Sequence, residues 1–179
     1  QFLRPGDLMI FNNSRVEPVQ FYLDDSRFIL LIQPPLDTLD RARVICPFKP
    51  AVDETLHLPF ATVYLMAHEP GWDVYWARIS PSDESRTLAD LIRQHGQFPL
   101  PIYIQRRPTP GEEDSYQSVY AKIDGSIAPP VAGSHFSLAS IEAARARGIE
   151  IAEVTLHVGY GTFRSFKTKM VDDHVMDPE

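Results

Sequence analysis

Cysteine is nearly absent: Cys46 is the only one in 179 residues. A single thiol excludes an internal disulfide framework and supplies no zinc-ligand spacing. A reducing, cytoplasmic setting without a metal is therefore expected. Long apolar runs are missing as well. The longest, such as Phe28 to Ile32, fall far short of a bilayer span. The residues from Gln1 onward lack the basic-then-apolar pattern of a secretory leader, so no membrane role is expected. Positive charge is scarce too: 17 Lys and Arg stand against 24 Asp and Glu, giving a net charge of −7 and a pI of about 5.3. That balance argues against nucleic-acid binding by bulk electrostatics, which works by neutralising phosphates. Local clusters remain at Arg106 and Arg107, at Arg145 and Arg147, and at Arg164, Lys167 and Lys169. Each of these, taken alone, is better read as a solvated face.

What is present is the composition of an ordinary globular chain, 44% hydrophobic and 23% charged, with enough apolar material for one good core or two small ones. No internal repeat is visible, and the order of elements falls into three parts. Residues 1–18 give a strand, Leu8 to Phe11, followed by a polar turn, Asn12-Asn13-Ser14-Arg15. Residues 19–86 contain only strand-like runs: Phe28 to Ile32, Val44 to Pro47, Ala61 to Met66 and Trp72 to Ile79. Pro34-Pro35, Pro47, Pro50, Pro59 and Pro70-Gly71 punctuate them. Short strands separated by such turn signals indicate a small antiparallel barrel.

From Thr87 the pattern changes. Leu88, Leu91 and Ile92 recur at helical spacing up to Gly96, a C-terminal cap by its position. Leu138 to Arg147 reads as a second helix, with Ser137 placed to be its N-cap and Gly148 its stop. A strand from Ile149 to Val158 follows, and Arg107 to Asp114 is the most loop-like stretch. The fold class is then an α/β domain, residues 1–18 and 87–179, with an inserted small antiparallel β-barrel domain, residues 19–86.

The segment VTLHVGYGTF, Val154 to Phe163, carries the most information. Its alternation marks a buried strand, which breaks into Gly159-Tyr160-Gly161-Thr162, where glycines let the backbone turn and approach a ligand. A histidine, His157, beside such a turn at a strand's carboxyl end stands where α/β sheets place their sites. Taken alone this is a weak signal, because strand histidines are usually structural.

It stands in company. LRPGDLMIFNNSRVEPV, FPLPIYI, YQSVYA, GSIAPPVAGSHF, VTLHVGYGTF and DDHVM occur in this order across the whole chain. Together these blocks resemble the S-adenosylmethionine:tRNA ribosyltransferase-isomerase family of the queuosine pathway. The resemblance implies the same barrel-in-α/β layout. It also implies that the chain is partial, lacking family segments at both ends. The implied reaction transfers and isomerises the ribosyl group of S-adenosylmethionine onto 7-aminomethyl-7-deazaguanine in tRNA, forming epoxyqueuosine. S-adenosylmethionine is then a co-substrate and no cofactor is required.

Such chemistry needs a base beside the sulfonium, an acid at the departing adenine, and dipoles that steady charge. By the resemblance, His135 and His157 are the candidate acid and base. Asn13, Arg15, Thr155, Gly159, Gly161, Thr162 and His174 are the candidate substrate contacts. Position alone favours a structural histidine at both sites, a turn arginine at Arg15 as readily as a ligand contact, and core packing for Tyr116 and Tyr120. Asp7 reads better as a pin for the turn into the first strand. The chain departs from the family pattern at Val131 and Ser134, and again at Asp177 and Pro178. Those departures keep a second reading open: a paralogue that binds nucleotide or RNA without turnover or with altered specificity.

Overall fold

The computed structural model describes residues 2–24, 27–32, 39–69, 73–101, 104, 106–163 and 168–175. Its strands are β1 (Leu8–Asn12), β2 (Ser14–Val16), β3 (Gln20–Tyr22), β4 (Phe28–Leu31), β5 (Ala42–Ile45), β6 (Thr55–Leu58), β7 (Ala61–His68), β8 (Val74–Pro81), β9 (Ile123–Ser126) and β10 (Glu150–Val154). The α-helices are α1 (Leu88–His95), α2 (Glu112–Tyr116) and α3 (Leu138–Ala146). Short 3-10 helices cover Val131–His135, Tyr160–Phe163 and Val171–Asp173. The chain divides into two compact units. One is Pro18–Pro108, and the other joins Gln1–Glu17 to Thr109–Glu179.

The unit Pro18–Pro108 holds a six-stranded antiparallel, barrel-like sheet in the order β3-β4-β5-β8-β7-β6. Alternation along β7 and β8 buries Ala61, Val63, Leu65, Ala77 and Ile79 on one side, with Phe21, Ile29 and Val44 from neighbouring strands. Proline-rich turns and β-branched residues account for the short strands that the sequence indicated, and β3 and β6 add to them. Pro34, Pro35, Pro70, Gly71 and Trp72 lie outside the described residues.

Helix α1 begins with a capping box: the Thr87 hydroxyl accepts from the Asp90 N–H, and the Asp90 carboxylate accepts from the Thr87 N–H. It buries Leu88, Leu91 and Ile92. Gly96 ends the helix in extended backbone rather than in the left-handed form its position indicated. A Cβ there would come within 1.8 Å of the Pro18 carbonyl oxygen, so close approach is what requires glycine. Gln20 and Gln97 exchange backbone hydrogen bonds, tying the segment after α1 to β3. Residues 87–108 accordingly group with the six-stranded sheet, and the boundary falls at 108/109 where the sequence pattern had placed it at 86/87.

The other unit holds two short parallel pairings, β1 with β10 and β2 with β9. Phe11 is buried between Tyr120 and Phe136, with ring centroids 4.7 and 5.0 Å away. Ser137 caps α3 through a capping box with Ser140, and Gly148 adopts a positive φ of 82° just beyond the helix. The Asp7 carboxylate accepts from the Arg4 N–H, pinning the turn into β1 as the sequence indicated. Helix α2 begins inside the stretch read as loop. The polar segment after Leu8–Phe11 is a strand-to-strand switch, with Asn13 the only residue between β1 and β2.

A candidate active site at the switch between parallel strands

Parallel strands leave their carboxyl ends on one edge, and a chain that changes partner there opens a place for a ligand. Here β1 leaves β10 at Asn12 and continues as β2 beside β9. Strand β10 stops at Val154, short of the Val158 that alternation indicated, because β1 gives no further backbone to pair with. The Asn12 side chain takes over. Its Oδ1 accepts from the Leu156 N–H at 3.0 Å and the Ser14 N–H at 3.1 Å, and its Nδ2 donates to the Leu156 carbonyl at 2.8 Å. The amide thus stands in for a peptide unit and carries the 155–158 segment onward. Gln117 does the same for Val16, accepting its N–H at 3.1 Å and donating to its carbonyl at 2.8 Å.

Asn13, buried, is held from every side. Its N–H donates to Val154 O at 2.9 Å, and its carbonyl accepts from the N–H groups of Lys122 and Ile123. Its Nδ2 donates to the Glu153 carboxylate at 3.0 Å, and its Oδ1 accepts from the Thr155 hydroxyl at 2.7 Å. The Lys122 ammonium lies 2.7 and 2.6 Å from the two Glu153 carboxylate oxygens. Hydrogen bonding from Lys122, then from Asn13, holds the Glu153 carboxyl below its ordinary pKa. Beneath them the fully buried Ser14 and Ser126 hydroxyls meet at 2.8 Å, and Ser126 Oγ accepts from the Val158 N–H at 2.9 Å.

The 155–158 segment delivers His157 onto Gly125, whose φ is +138°. The imidazole lies so close that a Cβ at Gly125 would be 2.6 Å from its Nδ1, and that buried nitrogen has no hydrogen-bond partner among the described residues. Gly133 makes a similar approach, with Tyr120 Oη 2.1 Å from where its Cβ would stand. Tyr120 is therefore packing, as position alone favoured, and burial first of all raises its pKa. His135 ends the 131–135 3-10 helix and is exposed. Among the described residues its imidazole has no hydrogen-bond partner.

The other sequence candidates are placed as follows. Arg15 is exposed on β2, with Nε 3.8 Å from Asp124 Oδ1. Gly159, Gly161 and Thr162 open the Tyr160–Phe163 3-10 helix, with the Thr162 N–H on the Gly159 carbonyl at 3.3 Å. His174 follows the Val171–Asp173 3-10 helix and donates its N–H to Val171 O. Val131 is 68% exposed, and Ser134 Oγ donates to the Val131 carbonyl. Asp177, Pro178, Arg164 and Lys167 lie outside the described residues. Direct contact joins Asn13 to Thr155. Glu153, Lys122, Gln117 and the Ser14–Ser126 pair were not singled out from sequence. The clue for Gln117 was its place in the YQSVYA block, and the clue for Ser14 its place in the FNNSRV run.

The family model described as queuosine biosynthesis protein matches residues 1–179. The S-adenosylmethionine:tRNA ribosyltransferase-isomerase of Nitrosomonas eutropha is 37% identical over 183 residues, covering 99% of this chain and 51% of its own length. The chain thus spans about half the length of that curated relative. The solved S-adenosylmethionine tRNA ribosyltransferase of Thermotoga maritima is 20% identical, with a TM-score of 0.34 over 88% of this chain and 42% of that one.

Proposed function

The chain belongs to the queuosine biosynthesis protein family, and from that premise we propose that it carries out S-adenosylmethionine:tRNA ribosyltransferase-isomerase chemistry. The ribosyl moiety of S-adenosylmethionine passes to 7-aminomethyl-7-deazaguanine in tRNA and is isomerised, giving epoxyqueuosine with release of adenine and methionine. The observation that carries the reading is identity to a relative of that name along nearly the whole chain. S-adenosylmethionine is the co-substrate, the modified tRNA is the partner, and no cofactor takes part. The six-stranded unit is read as a β-barrel domain inserted between the two pieces of an α/β domain. A cytoplasmic setting follows from the tRNA partner and agrees with Cys46 being a free thiol.

Two proton transfers bracket the reaction, one beside the sulfonium and one at adenine. We assign the mobile proton to His135, which is exposed and whose ring has no hydrogen-bond partner among the described residues. His157 is seated against Gly125 and presents its remaining edge to the ligand. Thr155, exposed, faces the co-substrate with the buried Asn13 behind it, while Gly159, Gly161 and Thr162 bring backbone near. Arg15, exposed and only 3.8 Å from Asp124, can turn to the methionine carboxylate, and His174 contributes to ribose or tRNA binding. The test is direct: full-length protein incubated with S-adenosylmethionine and the modified tRNA releases free adenine. The exposed Val131, a departure from the family block, favours the alternative of a binding paralogue, and that alternative predicts tRNA binding without adenine.

A further inference from the structure

We propose that Lys122 and Glu153 are positioning residues that fix the hydrogen-bonding sense of Asn13, so that Thr155 meets its ligand as an acceptor only. This rests on the reading above that the switch site binds S-adenosylmethionine. Lys122 Nζ lies within 2.7 Å of both Glu153 oxygens, so the carboxylate is ionised and oriented. An ionised carboxylate only accepts hydrogen bonds. The Asn13 amide must therefore turn its NH₂ to Glu153, at 3.0 Å, and its carbonyl oxygen to Thr155. That oxygen cannot donate, so the proton in the 2.7 Å contact is the threonine's. Thr155 is exposed, and its committed proton leaves only lone pairs for a ligand. The group it takes is thus a donor: a ribosyl hydroxyl or the ammonium of the amino-acid end.

The experiment measures binding of S-adenosylhomocysteine to full-length wild type, Thr155→Val, Glu153→Gln and the double variant by calorimetry. 5′-Methylthioadenosine, which has ribosyl hydroxyls but no ammonium, and methionine, which has the reverse, identify the donor. In wild type, Thr155→Val weakens binding of the probe that carries the donor, by ~2- to 10-fold if the donor is a neutral ribosyl hydroxyl and by ~10- to 150-fold if it is the charged ammonium. In the Glu153→Gln background the Asn13 amide is no longer forced to one sense, and the Thr155→Val effect shrinks toward none. A purely structural role for Glu153 would lower the melting temperature and leave the Thr155→Val ratio alike in both backgrounds. Asn13→Asp combined with Glu153→Gln places the amide and carboxylate in exchanged positions, and restores the Thr155→Val effect. An unchanged affinity for Thr155→Val, or equal ratios in both backgrounds, overturns the relay while leaving the proposed function intact. Failure of wild type to bind any of the three probes overturns both.

Discussion

Gly125→Ala isolates the contact that seats His157. The added Cβ would stand 2.6 Å from Nδ1 and 2.7 Å from Cε1, against the 3.4–4 Å of ordinary contact, so the ring or the strand has to move by most of an ångström. Forcing a larger side chain into a packed site costs about 1–3 kcal/mol. Alanine at φ +138° adds backbone strain of order 1–3 kcal/mol, which glycine does not feel. The variant is therefore expected to lose roughly 2–6 kcal/mol of unfolding free energy in urea. The two contributions separate in a cycle with His157→Ala. Removing the ring relieves the overlap but not the strain, so the two substitutions should be non-additive by about 1–3 kcal/mol. Additivity within ~0.5 kcal/mol, or a Gly125→Ala protein as stable as wild type, would refute the steric reasoning.

Three other outcomes follow from contacts already described. His135→Ala in full-length protein should lower adenine release by ~10²–10⁴-fold while tRNA affinity, dominated by phosphate contacts, changes little; near-normal turnover in a folded variant would place the proton elsewhere. Ser126→Ala removes the partner of both the Ser14 hydroxyl and the Val158 N–H, so stability should fall by about 1–3 kcal/mol and the Val158 amide should exchange faster. Unchanged Val158 exchange would count against it. Thr87, first by its hydroxyl and then by its N–H, holds the Asp90 carboxyl down at about 2, with Arg93 adding to it. A depressed carboxyl adds stability that is complete above its ordinary 3.8 and fades as pH falls through about 2, so an NMR titration of Asp90 should centre there and move upward in Thr87→Ala.

Helix starts were legible because their chemistry is local: Thr87 and Ser137 each cap with a residue three positions on. Strand alternation in 61–66 was legible for the same reason. The Asn12-Asn13-Ser14 run was not, because its amides read locally as a turn while their partners lie in the 153–156 segment. That distant pairing also explains why β10 ends at Val154 although the apolar alternation runs on. The boundary at 108/109 left no trace in composition, since α1 is amphipathic and would suit either unit. Of the candidate site, the residue types at Asn13, Thr155 and His157 could be read from their blocks. The ionic pair beside Asn13 could not, since Lys122 and Glu153 look like any exposed charges until the fold brings them together.

Strand β1 has a consequence for the order in which this molecule can be made. Its partner β10 pairs Leu8 with Glu150, and Asn12 reaches Leu156 across a separation of 144 residues. At synthesis rates of about 5–20 residues per second, β1 leaves the ribosome on the order of 7–30 s before its neighbour exists. During that wait Leu8, Ile10 and Phe11 have no β10 beside them, whereas β3 to β8 all fall within Pro18–Pro108 and close their sheet as soon as that stretch has emerged. A nascent chain stalled once Pro108 has cleared the ribosome, and before β10 has, should therefore hold a protease-resistant sheet and a cleavable first strand.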